Sequence, residues 1–187
     1  MTDQVHITAN RISRRTALAA AGAMLFFRPA TAVESLAGKS LDQRFDFLST
    51  HGNSSCTKAF LDSIPSMPKN ARIQGSCCSP MERARYIKQV EALKKYDAFT
   101  DIPTDPYDLD ASLAAKMLSY YDLALTAEEQ KAYDFAMENS TEKGPCCCRC
   151  WHWKAYGGLA KLLIREHQFT GQQVAEIWDL SDGCGGS

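Results

Sequence analysis

The chain has 187 residues, 45% of them hydrophobic, with 21 Lys and Arg set against 22 Asp and Glu for a formal charge of −1. That balance belongs to a chain able to bury a core, and it excludes a disordered acidic or polybasic segment. With no basic cluster there is no electrostatic footprint for nucleic acid, so none is expected as a partner.

The first 32 residues read as an export leader: Ser13-Arg14-Arg15-Thr16-Ala17-Leu18, an uncharged run from Ala17 to Phe27, then Ala30-Thr31-Ala32 as a small-x-small cleavage site. The run is too short to span a bilayer. Paired arginines before an Ala-rich stretch resemble a twin-arginine signal peptide, which implies export of a folded protein by the twin-arginine translocase. The expected location is periplasmic or extracellular. Cleavage leaves residues 33–187, with 17 Lys and Arg against 21 Asp and Glu, as one all-α, cysteine-rich domain. Nothing in it reaches transmembrane length, so stable membrane insertion of the mature chain is not expected.

Helix signals then follow one another. Ser40-Leu-Asp-Gln43 is a capping box leading into Leu41, Phe45 and Leu48 and stopped by His51-Gly52. Asn53-Ser54-Ser55 offers caps for a short helix that carries Phe60, Leu61 and Ile64 and ends at Pro65. Ser79-Pro80-Met81-Glu82 reads as N-cap, first-position Pro and third-position Glu for a helix running through Ile87, Val90 and Leu93 to about Tyr96. Ala98 to Leu109, with Pro103 and Pro106, reads as a surface connection. Leu113, Ala114, Met117, Leu118 and Tyr121 mark the next helix face. Thr126-Ala-Glu-Glu129 is another capping box, before Ala132, Tyr133, Ala136 and Met137. A long helix is predicted from near Pro145 to His167, with the stripe Tyr156, Leu159, Ala160 and Leu163. Gly157-Gly158 inside it marks a close helix approach, since glycine there costs about 1 kcal/mol per residue relative to Ala. Thr170-Gly-Gln-Gln173 caps the last helix, which presents Val174, Ile177 and Trp178. The fold class is therefore all-α, a compact bundle of about six to seven helices with a Gly-rich C-terminal tail from Asp182.

The eight cysteines are distributed as Cys56, Cys77-Cys78, Cys146-Cys147-Cys148-Arg149-Cys150 and Cys184. On this reading seven of them lie at helix N-termini, where free N–H groups and the dipole favour thiolates. Helical spacing puts Cys146 and Cys150, and Cys147 and Cys150, about 5 to 6 Å apart between Cβ atoms. Cys148 then faces elsewhere, towards Cys77, Cys78 or Cys56 if those helix starts converge. Dense thiols with few imidazoles select soft-metal chemistry: Cu(I), Zn(II) or an iron–sulfur cluster. Cu(I) is preferred because the crowding exceeds what one tetrahedral zinc requires. Cys184, between two glycines, reads as a mobile capture or closing ligand, and His152 as a possible additional ligand.

Two other readings use the same residues. An even cysteine count in an exported chain also suits disulfides, and Cys147 with Cys150 has the spacing of a thiol–disulfide redox pair. The β-α-β frame of a thioredoxin-like enzyme is missing. Covalent haem attachment is excluded because Trp151 intervenes between Cys150 and His152. Asp105, Asp108 and Asp110 read as solvated or capping groups, and His51 and His167 as surface residues. No acid–base machinery accompanies the thiols, so storage, delivery or detoxification of a soft metal ranks above catalysis.

Pro145-Cys146-x-Cys148-x-Cys150 resembles the signature of the exported bacterial proteins named for a Pro-Cys-Tyr-Cys-Gly-Cys motif, with Tyr133, Ala136, Glu138 and Asn139 similar to the helix that precedes it. The likeness departs at Cys147 and Arg149. It implies export and a metal–thiolate site at Cys146, Cys148 and Cys150, and no reaction.

Overall fold

The computed structural model describes residues 36–185, so the leader expected over residues 1–32 lies outside the described residues. Seven α-helices and one small sheet follow in the order α1 (Leu41–His51), α2 (Lys58–Ser63), β1 (Arg72–Gln74), α3 (Arg83–Leu93), β2 (Asp108–Asp110), α4 (Ala111–Ser119), α5 (Ala127–Asn139), α6 (Trp151–His167) and α7 (Gly171–Ser181). The fold is the expected predominantly helical bundle. Among the described residues no helix is long and apolar enough to cross a membrane.

Capping chemistry sets three helix starts as the sequence predicts. Ser40 with Gln43, Thr126 with Glu129 and Thr170 with Gln173 each form the reciprocal box, side chain to backbone in both directions. Helix α6 is the central element, burying Tyr156, Leu159, Leu162 and Leu163 while α4, α5 and α7 pack around it. Burying such side chains stabilises the fold by roughly 1.5–3 kcal/mol each. The glycine pair does mark a close approach: a Cβ on Gly158 would lie 1.9 Å from the Met117 carbonyl oxygen of α4. A second, smaller core of Leu36, Leu48, Tyr86, Val90 and Tyr107 joins α1 to α3.

Three expected helix starts need correction. Helix α2 is capped by Thr57, whose hydroxyl accepts the Phe60 N–H, so Cys56 precedes the cap. Helix α3 is capped by Glu82, whose carboxylate accepts the Ala84 and Arg85 N–H groups, because the Ser79 hydroxyl is engaged by the Cys184 carbonyl. Helix α6 begins at Trp151, not near Pro145. Lys143 and Gly144 adopt positive φ, and Gly144 N–H returns to the Ser140 hydroxyl at 2.9 Å, so residues 145–150 run as an irregular loop.

The segment from Ala98 to Leu109 is largely buried rather than superficial. It contributes β2, which pairs antiparallel with β1 in the register Ile73 opposite Leu109. Asp105 is buried, accepting bonds from Arg44 Nη2 (2.5 Å), the Tyr86 hydroxyl (2.8 Å) and the Tyr107 N–H (2.9 Å). Asp108 and Asp110 are both paired with Arg72. Asp105 and Asp108 are structural ion-pair partners, since a buried charge persists only when matched and hydrogen-bonded, whereas Asp110 stays exposed at the N-cap position of α4.

Candidate metal centre

Four irregular segments bring all eight cysteines to one end of the bundle. Each is held by contacts readable residue by residue. The Cys56 loop is tied to β1, because Asn53 N–H and Ser54 N–H both donate to the Gln74 carbonyl, at 2.9 and 3.1 Å. Its other side is fixed to α6, where Trp151 Nε1 donates to the Ser54 hydroxyl at 3.1 Å. The loop between β1 and α3 carries Cys77 and Cys78. The irregular stretch before α6 carries Cys146, Cys147, Cys148 and Cys150.

The tail after α7 carries Cys184 and is pinned rather than mobile. Its Cys184 carbonyl accepts the Ser79 N–H at 3.0 Å and the Ser79 hydroxyl at 2.6 Å. Arg85 donates to the Gly185 carbonyl and to the Asp182 carboxylate, and Gln89 Nε2 donates to the Asp182 carbonyl at 3.0 Å. The Cys184 side chain is buried as a result, at 3% exposure.

The sulfur atoms form one connected set. Cys56 Sγ lies 2.8 Å from Cys78 and 3.8 Å from Cys148. Cys78 lies 3.2 Å from Cys148, and Cys77 lies 3.6 Å from Cys78, 3.9 Å from Cys150 and 3.7 Å from Cys184. Cys146 and Cys148 are 4.0 Å apart, and Cys146 is paired with Cys184 as a disulfide, leaving the other six cysteines free. Within this set, Cys78, Cys147, Cys148 and Cys184 could hold a metal ion, as could Cys56 with Cys77 and Cys150, or Cys146 with Cys148 and Cys150. In each group every sulfur is within 4.8 Å of the others.

A further group joins Cys146 and Cys184 to Asp182, a residue the sequence reading passed over. Its only local signal was a carboxylate two residues from a cysteine. His152 is in none of these groups, contrary to the expectation of an added ligand. It is buried at 1% exposure, stacked on Tyr156 with ring centroids 4.1 Å apart, and burial holds its imidazole below the ordinary range. It belongs to the packing beneath the centre.

The electrostatics also differ from a row of helix N-termini. Only Cys150 stands at a helix cap, that of α6. Its thiol is drawn down to about 5, first by the Cys77 thiol beside it and then by the His152 peptide N–H, against its own burial. Cys77 is pushed up because it keeps its proton and donates its S–H to the Cys150 thiolate, with burial adding to the effect. Burial, reinforced by Cys78, pushes Cys56 up to about 12, and burial likewise raises Cys147 and Cys148. Crowded sulfurs cannot all carry charge at once without a cation among them, because each added thiolate raises the cost of the next.

The helical spacing therefore gave the right neighbours for Cys146 and Cys150 for the wrong reason, whereas Cys147 groups with Cys78, Cys148 and Cys184 and not with Cys150. The loop, not a helix face, gathers them, and Cys148 meets Cys78 and Cys56 as expected while also grouping with Cys146 and Cys150. No protein-family model, curated protein or solved structure was found to match the chain.

Proposed function

We propose that the protein is an exported carrier of soft metal ions, Cu(I) foremost, which its cysteine thiolates bind for storage, delivery or detoxification. The observation that carries this reading is the meeting of sulfurs from four separate segments in a single connected set. Cys146, Cys148, Cys150 and Cys184 each belong to two of the candidate groups. Shared sulfurs suit bridging thiolates around more than one ion, whereas a structural zinc site uses four unshared ligands. Bound cations would also offset the burial that favours the protonated form of Cys56, Cys147 and Cys148, together with the repulsion between neighbouring thiolates. The twin-arginine leader suits such a cargo, because the site would be filled in the reducing cytosol before transport to the periplasm or beyond.

The disulfide between Cys146 and Cys184 represents the oxidised condition of the same centre, with two of its ligands withdrawn. Anaerobic purification followed by elemental analysis and thiol counting tests the proposal. More than one copper per chain, with thiols reactive only after chelation, supports it. An absorption band near about 400 nm with bound iron would replace it by an iron–sulfur electron-transfer protein. Four disulfides and no metal would replace it by a stapled domain.

A further inference from the structure

The eight sulfurs are not equivalent in their access to solvent. Cys56, Cys78 and Cys147 are exposed, Cys77 and Cys148 are half-buried, and Cys146, Cys184 and Cys150 are buried at 0%, 3% and 7% exposure. The three classes adjoin in space: Cys56 is within 4.8 Å of Cys150, Cys78 and Cys147 are within 4.8 Å of Cys184, and steps of 4.0 Å or less run through the half-buried pair. The rim sulfurs Cys56 and Cys78 touch the half-buried Cys148, at 3.8 and 3.2 Å, and Cys78 touches the half-buried Cys77 at 3.6 Å. The half-buried pair in turn reaches the floor, Cys77 to Cys150 at 3.9 Å and to Cys184 at 3.7 Å, and Cys148 to Cys146 at 4.0 Å.

A metal–sulfur bond of about 2.3 Å lets one ion hold two sulfurs up to about 4.6 Å apart. Each of those steps is shorter than that. An ion can therefore move from rim to floor while bonded to at least one sulfur throughout, never released as a free aqueous species.

We propose that Cys56, Cys78 and Cys147 form the exchange rim at which a thiol-bearing donor or acceptor hands over the metal, that Cys77 and Cys148 relay it, and that Cys146, Cys150 and Cys184 are the holding ligands. The inference rests on the soft-metal reading above. In the exchange step an incoming thiol loses its proton and bonds the metal, the bond from the metal to a rim sulfur breaks, and that sulfur takes up the proton. The oxidation state of the metal does not change. The partner is thus defined by its chemistry: an accessible thiolate, on a protein or on a small thiol.

Ligand exchange by thiols requires approach to an exposed sulfur, and buried thiolates react slowly whatever their charge. The test uses the reduced mature chain loaded with Cu(I) under anaerobic conditions. Transfer to glutathione is followed by stopped flow, and total copper is read with a colorimetric Cu(I) chelator. The triple variant Cys56→Ser, Cys78→Ser, Cys147→Ser is expected to transfer its copper about tenfold more slowly while the most tightly held fraction is retained. Cys150→Ser is expected to lose that tightly held fraction. Limited reaction of copper-loaded wild type with N-ethylmaleimide, mapped by mass spectrometry, gives a measurement independent of any variant's folding. Adducts at Cys56, Cys78 and Cys147 before any at Cys146, Cys150 or Cys184 support the division of rim from floor. Equal labelling of rim and floor, or unchanged transfer from the triple variant, overturns the route while leaving the metal reading intact. A reduced wild-type chain that takes up no Cu(I) overturns the metal reading, and the route with it.

Discussion

Gly75 crosses over Gly52 so closely that a Cβ on Gly75 would lie 2.6 Å from the Gly52 Cα and 2.8 Å from the Leu48 carbonyl oxygen. Both glycines flank the cysteine loops, and their crossing lets the Cys56 loop lie beside the Cys77-Cys78 loop. Gly75 also has φ +77°, a conformation that side chains oppose. Gly75→Ala is therefore expected to lower stability by about 1–3 kcal/mol, read as a fall in the melting temperature. It should also part Cys56 from Cys78 and weaken Cu(I) binding in competition with a chelator. A variant with wild-type affinity would mean that this crossing does not position the rim.

Ser79 clasps the tail through two bonds to one carbonyl, and Arg85 holds the same tail at Gly185 and Asp182. Removing the hydroxyl in Ser79→Ala should cost about 1 kcal/mol. The larger consequence is local: the tail then opens more often without global unfolding. In the reduced, metal-free protein, alkylation of Cys184 is expected to accelerate while that of Cys150 stays constant. Equal acceleration at both positions would indicate general loosening instead.

The helices and their caps were legible because their signals are local. Thr126 with Glu129, and Thr170 with Gln173, need only three residues of context, and the stripe Tyr156, Leu159, Leu163 needs only helical period. The site was legible by residue type but not by geometry. Ser79-Pro80 has every mark of a helix start, yet the Ser79 hydroxyl is taken by a carbonyl 105 residues away. Likewise Gly144-Pro145 looked like the opening of α6, whereas Gly144 lies under the Trp153 ring, with 2.3 Å between the site of a Cβ and the indole. The short sheet was missed for a related reason. Strands of three residues show no period, and the pairing of Arg72 with Asp108 and Asp110 that favours it is long-range.

Away from the sulfurs, Glu129 links the start of α5 to the end of α6. Its carboxylate accepts Arg165 Nε at 2.9 Å, Arg165 Nη2 at 2.6 Å and the Thr126 N–H at 2.7 Å. Those donors, Arg165 first, hold its pKa at about 2, below the ordinary 4.5. Since the folded state lowers the value, the unfolded chain takes up the proton first as pH falls. The contribution is thus complete above 4.5 and is lost progressively as pH drops towards 2. Melting temperatures measured across that window should fall less steeply in Glu129→Gln than in wild type, from a lower starting value at neutral pH. Identical slopes would show that this pair carries none of the acid sensitivity. Added salt should shrink the difference, because the pair is partly open to solvent.

The pairing of Cys146 with Cys184 makes the number of available ligands depend on redox state. With that bond formed, the six other cysteines remain as free thiols, and reduction restores two buried sulfurs that each belong to two candidate metal groups. Thiol counting under denaturing conditions should therefore give six per chain in the oxidised protein and eight after reduction, if no other bridge forms. Copper capacity should rise on reduction by the ions that need Cys146 and Cys184, and the added fraction should be the slowest to leave, because both sulfurs are buried. Cys184→Ser removes the bridge and leaves Cys146 as an unpaired thiol, so its capacity is expected to become insensitive to mild reductant. Equal copper uptake by oxidised and reduced wild type would exclude these two sulfurs as holding ligands. It would confine binding to the groups built from Cys56, Cys77, Cys78, Cys147, Cys148 and Cys150.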